Sequence, residues 1–264
     1  MTKVKTSKCE LYYKEYGTGL PLILIAGLGS DSVSWLPVII NLSKNFRVIT
    51  FDNRGVGRSS HGNSNITIED MADDCIELIN HLELPSVNLL GHSMGGMIAM
   101  DIAIRYPQLV DNLILEATSP FVSNRNAEMF KDWIGFLKAG MNRHLWFKNM
   151  FYWIFSPKFF EDEVLLNQAV TMAINYRYPQ SDNSFENQVN AISNFNCLSS
   201  ISEIKANTLV IYGEQDILFP PKETADGFAD IQNCKTKIIS NAAHSIHMDN
   251  PVDFIKAVVV FLHE

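Results

Sequence analysis

The chain has 264 residues, 47% hydrophobic and 19% charged. That composition excludes a disordered tail or a fibre and allows one sizeable core without disulfides or a structural metal. Lys and Arg number 21 against 29 Asp and Glu, a formal net charge of −8, and no basic run exceeds two residues, which argues against a nucleic-acid partner. The four cysteines, Cys9, Cys75, Cys197 and Cys234, stand far apart with no C-x-x-C pair. They are expected to be reduced thiols of a cytoplasmic protein, holding no metal. The lysine-bearing start MTKVKTSKCELYYKEYG lacks a signal-peptide core. The apolar stretch 145–155, broken by Lys148, is far shorter than the ~20 residues of a membrane helix, so no membrane span is expected.

In chain order, short apolar runs at 22–25, 48–51, 87–90, 113–115, 209–212 and 236–239 predict strands. A loop of Gly, Ser and Asn precedes a helix predicted over 68–82, on which Met71, Cys75, Leu78, Ile79 and Leu82 share one face. Cys75 is therefore expected in the core. A second helix is predicted over 94–105, stopped by Pro107, and a third over 252–262, with Asn250 as cap and Pro251 in the first turn. Apolar strands alternating with amphipathic helices predict an α/β fold with a mostly parallel, buried sheet. The rhythm breaks over 119–200, where no clear strand appears and aromatics crowd, three of the four tryptophans among them. Some of these rings are expected to form that segment's own core. Trp133, Trp146 and Trp153 are the candidates for facing a substrate, since covered sites are commonly apolar.

The segment Gly91-His92-Ser93-Met94-Gly95 joins a predicted strand to a predicted helix. A sharp turn in this G-x-S-x-G context lifts a serine hydroxyl above the sheet edge, and the helix aims its N-terminal N–H groups at the same place. A serine needs a base, and the base an orienting carboxylate. Asp216 follows the strand at 209–212 and His244 follows the strand at 236–239, giving the order Ser, Asp, His. Glu116, at the end of the strand at 113–115, is the rival acid. His247, three residues beyond His244, has metal-ligand spacing but no carboxylate or cysteine cluster to complete a set, so a structural or lid-facing role is expected. His92 is expected to pack, and Asp52 and Arg54 to brace the loop beneath the site.

Five segments in order, AGLGS, FDNRGVGRSS, GHSMGG, YGEQD and AAHSIHMDNP, make the chain resemble the α/β-hydrolase superfamily. The resemblance is narrower to its lid-bearing esterase, lactonase and cofactor-free perhydrolase branch. It implies a mostly parallel twisted sheet flanked by helices, a core domain of 1–118 and 201–264, and a helical lid inserted at 119–200. By resemblance Ser93 is the nucleophile, His244 the general base and then acid, and Asp216 its orienting partner. The backbone N–H groups of Leu28 and Met94 form the oxyanion hole. The family often has His-Gly where this chain has Ala26-Gly27, so a side chain that braces that loop is missing. No cofactor or metal is implied. The expected activity is a serine hydrolase cleaving a small-molecule carboxylic ester, lactone or thioester through an acyl-enzyme. Perhydrolysis would use the same triad. Carbon–carbon bond hydrolysis is disfavoured by His92, where such enzymes often carry Asn, and epoxide hydrolysis or dehalogenation by Ser93, where they carry Asp. A non-catalytic ligand-binding protein is the alternative of another class.

Overall fold

The structure, a computed structural model, describes residues 2–61 and 65–264. Part of the Gly, Ser and Asn loop expected before the first long helix, residues 62–64, lies outside the described residues. The strands are β1 (Thr2–Lys5), β2 (Glu10–Tyr16), β3 (Leu20–Ile25), β4 (Phe46–Phe51), β5 (Val87–His92), β6 (Val110–Glu116), β7 (Asn207–Gly213) and β8 (Cys234–Ile239). They form one eight-stranded sheet in the order β1-β2-β4-β3-β5-β6-β7-β8. From β3 to β8 every pairing is parallel, while β2 is antiparallel to both β1 and β4. Each of the six expected strands falls inside an observed one.

From β3 to β7 the apolar runs are continuous because helices cover both faces of the sheet, whereas β8 at the edge is mostly exposed. The helices are α1 (Leu36–Leu42), α2 (Ile68–His81), α3 (Met94–Arg105), α4 (Asn124–Lys138), α5 (Arg143–Ile154), α6 (Pro157–Phe160), α7 (Glu163–Ile174), α8 (Asp182–Ser193), α9 (Pro221–Thr224), α10 (Ile246–Asp249) and α11 (Pro251–Leu262). One core joins the sheet to α2 and α3, with Cys75 fully buried within it, and the other joins it to α1 and α11. Local signals start these helices: Thr67 and Asp70 form a capping box on α2, and the Asn250 side chain accepts from Asp253 N at α11.

Between β6 and β7 the chain forms only helices, α4 to α8, apart from an isolated bridge between Phe121 and Asn196. Phe151, Leu166 and Val170 make a small core of their own, on which Phe155 and Phe159 stack with ring centroids 4.3 Å apart. Polar contacts tie this segment to the loops at the carboxyl ends of the strands. Asn126 Nδ2 donates to Leu218 O at 2.7 Å, Ser245 N to Ile154 O at 2.9 Å, and Asp249 accepts from the N–H groups of both Ser156 and Ala243. No helix among the described residues is long and apolar enough to cross a membrane.

Candidate active site

β5 ends at His92, α3 begins at Met94, and the residue between them, Ser93, is held at φ +54° and ψ −118°. A non-glycine residue there costs on the order of 1–3 kcal/mol and persists only where its surroundings fix it. They do so at both ends: Ser93 N donates to Glu116 O at 2.9 Å, and Ser93 O accepts from Thr118 Oγ1 at 2.7 Å. The flanking glycines are required by close approach. A Cβ on Gly91 would lie 2.2 Å from Gly95 O, and one on Gly95 would lie 2.0 Å from Ile25 O.

Asp216 and His244 stand on the loops after β7 and β8, and the N–H of Gln215 on the carbonyl of Ala242 ties those loops together. Asp216 Oδ1 accepts from Leu218 N at 2.8 Å and Phe219 N at 2.9 Å, while Oδ2 lies 3.0 Å from His244 Nδ1. Both side chains are buried. The acceptor-only carboxylate places a proton on Nδ1 and leaves Nε2 as the basic nitrogen of His244. His92 donates from Nε2 to His244 O at 3.0 Å, which fastens the histidine loop to the elbow. Burial, and behind it the neighbouring His244 and His247, holds the His92 imidazole well below its ordinary range, so its ring is neutral.

Glu116, the rival acid, partners a different histidine. Its Oε1 accepts from His247 N at 2.9 Å and lies 2.8 Å from His247 Nδ1. The expectation that no carboxylate accompanies His247 is thereby corrected: the partner is remote in sequence and adjacent in space. His247 is fully buried and its ring packs on Trp35 with centroids 4.4 Å apart, so of the two roles expected for it the structure places it in the core. His92, Glu116 and His247 offer ligand atoms within 4.8 Å of one another; Glu116 Oε1 and His247 Nδ1 face each other and His92 Nε2 donates to the His244 carbonyl, while Glu116 Oε2 and His247 Nε2 are buried without a hydrogen-bond partner among the described residues. Asp52 and Arg54 do brace loops, through separate partners: Asp52 takes Arg58 at 2.7 Å, and Arg54 takes Asp74 of α2 at 2.5 Å. Burial pushes the thiols of Cys9 and Cys197 up, to about 11 and about 12, so neither is a thiolate at neutral pH.

The turn after β3 lies against the elbow, since a Cβ on Gly27 would stand 3.2 Å from Ser93 Cβ. Ser30 N closes this turn on Gly27 O at 3.2 Å, and Gly29 N donates to Gln188 Oε1 at 3.2 Å. Leu28 N, between them, has no protein acceptor among the described residues. Met94 N opens α3, where no intrahelical partner exists. Asn53 Nδ2 on Ala26 O at 3.0 Å holds the start of the turn.

A cavity of about 270 Å³ adjoins the turn, walled by Gly29, Trp146, Phe147, Met150, Tyr176 and Phe185 among others. Of the three tryptophans singled out in the sequence, Trp146 faces this cavity. Trp133 is buried behind it, its carbonyl accepting from Trp146 Nε1 at 2.9 Å and its own Nε1 donating to Asn149, and Trp153 packs half-buried against the main core. Phe185, Tyr176 and Gln188 were not singled out in the sequence. Gln188 did carry a signal, an amide on the apolar face of α8 made by Phe185, Val189 and Ile192.

A family profile described as alpha/beta hydrolase fold matches residues 21–251. The chain belongs to that family and is a hydrolase of the α/β class. Among its relatives is a putative carbamate hydrolase, RutD, of Agrobacterium fabrum, 29% identical over 248 residues that cover 91% of this chain and 92% of the relative. A putative non-heme bromoperoxidase, BpoC, of Mycobacterium tuberculosis is 28% identical over 263 residues, covering 95% of this chain and 97% of the relative. Its crystal structure superposes with a TM-score of 0.86 over 96% of this chain and 95% of its own. The enol-lactonase of Burkholderia xenovorans LB400 shares the fold over the whole of both chains, with a TM-score of 0.90 at 24% identity.

Proposed function

We propose that the protein is a serine hydrolase acting on a small carboxylic ester, lactone or thioester through an acyl-enzyme. The observation that carries this reading is the Asp216 Oδ2 to His244 Nδ1 hydrogen bond at the end of the sheet where Ser93 is held on its strained turn. Ser93 Oγ attacks the substrate carbonyl while His244 Nε2 takes its proton, and the protonated imidazole then passes that proton to the leaving oxygen or sulfur. The N–H groups of Leu28 and Met94 bind the oxyanion, an interaction worth about a hundredfold to a thousandfold in rate per donor. Water, deprotonated by the same histidine, releases the acid and restores Ser93.

In this reading residues 119–200 are a lid on a core of 1–118 and 201–264, and the cavity beside Trp146 takes the acyl group. Its aromatic wall suits compact apolar acyl groups. The free thiols support a cytoplasmic setting. The relatives widen the substrate panel: a carbamate carbonyl admits the same attack, and hydrogen peroxide in place of water would make the reaction a perhydrolysis.

The test is labelling with a fluorophosphonate alongside turnover of p-nitrophenyl esters, lactones, thioesters and carbamates, with and without peroxide. Labelling that disappears in Ser93→Ala supports the assignment. Labelling that persists in Ser93→Ala overturns it, and tight ligand binding with neither labelling nor turnover would make the protein a binding module.

A further inference from the structure

We propose that Gln188 of α8 is a positioning residue for the oxyanion hole, so that docking of the helical segment helps to set the aim of the Leu28 N–H. The inference rests on the serine hydrolase reading above. Gln188 is fully buried, and a buried primary amide costs several kcal/mol unless both its ends are hydrogen-bonded. Both ends are. Oε1 accepts from Gly29 N at 3.2 Å and from Gln180 Nε2 at 3.1 Å, and Nε2 donates to Arg54 O at 3.4 Å. One side chain of the helical segment thus bridges the loop after β3 to the loop after β4.

The position of that bridge gives it a consequence for chemistry. Gly27 O and Leu28 N belong to one peptide plane, and Gly27 O is fixed by Ser30 N. The next peptide plane ends in Gly29 N, which Gln188 fixes, at a residue with φ +69° as the third position of a type II turn requires. With both planes held, the Leu28 N–H between them has one direction. Phe185 backs the same turn from one helical turn earlier, 3.3 Å from where a Cβ of Gly29 would stand. Donors in an oxyanion hole act only when held to within about half an ångström, and a turn released at Gly29 would lose part of that aim while substrate still entered the cavity.

The experiment compares Gln188→Met, which keeps length and loses both hydrogen-bonding ends, with Gln188→Glu, which keeps an oxygen acceptor for Gly29 N. Five quantities are read: kcat and KM on a p-nitrophenyl ester, the rate constant for fluorophosphonate labelling, hydrogen–deuterium exchange at the Gly29 amide, and Tm. Gln188→Met is expected to lower kcat and the labelling rate together by about tenfold to a hundredfold, a fraction of the loss of a whole donor. KM should move little and Gly29 should exchange faster, and Gln188→Glu should recover most of the loss. Should Gln188→Met fail to fold, Gln188→Asn, too short to reach Gly29, takes its place. A lower Tm with kcat, labelling and Gly29 exchange unchanged overturns the proposal, as does a Gln188→Glu variant no better than Gln188→Met. The two readings fail separately: a wild-type protein that is neither labelled nor active sinks the serine hydrolase assignment, whereas an active wild type indifferent to Gln188 sinks only this one.

Discussion

In the proposed mechanism Ser93 and His244 have value only as a pair, because the hydroxyl is a poor nucleophile until the imidazole takes its proton. Ser93→Ala and His244→Ala are each expected to lower kcat by about a millionfold, with the double variant little worse; effects that multiply would mean the roles are misassigned. Asp216→Asn should cost about ten-thousandfold, because an amide no longer selects the tautomer with Nδ1 protonated. Glu116→Gln gives the contrasting outcome. Its carboxylate serves the N–H and ring of His247, so the change should appear chiefly in Tm and leave kcat far less affected than Asp216→Asn. His92 carries a pH prediction of its own. Burial first, and then His244 and His247, hold its folded-state pKa well below the unfolded value of about 6.5. The unfolded chain therefore binds more protons, and stability is lost as pH falls through the unfolded value. The drop in Tm between pH 7 and pH 5 should be smaller in His92→Gln, whose amide can still donate to His244 O. An NMR titration of the wild type should show the His92 ring unchanged between pH 5 and 8, and protonation in that range would sink the prediction.

Strands buried on both faces announced themselves as unbroken apolar runs, which is why β3 to β7 were legible; β8, an edge strand with most of its residues exposed, showed only its closing Ile238-Ile239. β1 and β2 were not legible, because they form the polar edge of the sheet and interleave lysines and glutamates with Leu11 and Tyr13. The bounds of α3 were readable at both ends, from the serine turn and from Pro107, and the chain order of Ser93, Asp216 and His244 pointed to one end of the sheet. What the sequence could not carry were partnerships between residues far apart in the chain. Glu116 and His247, or Gly29 and Gln188, show no shared pattern along the chain, since their meeting depends on strand order and on how α8 docks. Within the helical segment the same gap hid which rings face the cavity, because aromatics there serve two cores at once. Trp146 and Trp133 now separate. Trp146→Ala removes a cavity wall, up to about 3 kcal/mol of apolar contact, and should shift ester preference from acetate toward longer chains while labelling of Ser93 persists. Trp133→Ala, buried behind that wall, should instead lower stability by about 3–5 kcal/mol with an unchanged chain-length profile. Measuring both variants against esters from acetate to decanoate decides it, and identical profiles for both would remove the cavity from the substrate path.

The helical segment and the sheet meet through buried polar groups as well as apolar ones, and polar junctions make the docking sensitive to pH. Tyr176 OH donates to Asp31 Oδ2, and Asp31 lies beside Asp52 with Arg58 between the two carboxylates, 3.5 Å from Asp31 and 2.7 Å from Asp52. Burial, and after it the charge of Asp52, raises the Asp31 carboxyl above its ordinary pKa, against the opposing hydrogen bonds from Tyr176 and Val33. A carboxyl raised in the folded state binds its proton more tightly there than in the unfolded chain, so folding stability falls as pH climbs from the unfolded value to the folded one. Asparagine at this position does not titrate. It can still accept from Val33 N as the cap of the short turn that starts at Ser32, and its amide can donate to the Tyr176 hydroxyl. The expected outcome concerns a difference: Tm of Asp31→Asn minus Tm of wild type should increase from pH 4 toward pH 8 and level off once Asp31 is fully ionised. Any constant change in hydrogen bonding shifts that curve without altering its slope. Thermal melts of the two proteins at matched ionic strength across the range check it. A difference that stays flat would mean that Arg58 and Tyr176 fully offset the cost of the buried charge, and one that decreases with pH would mean that the ionised carboxylate holds the helical segment in place.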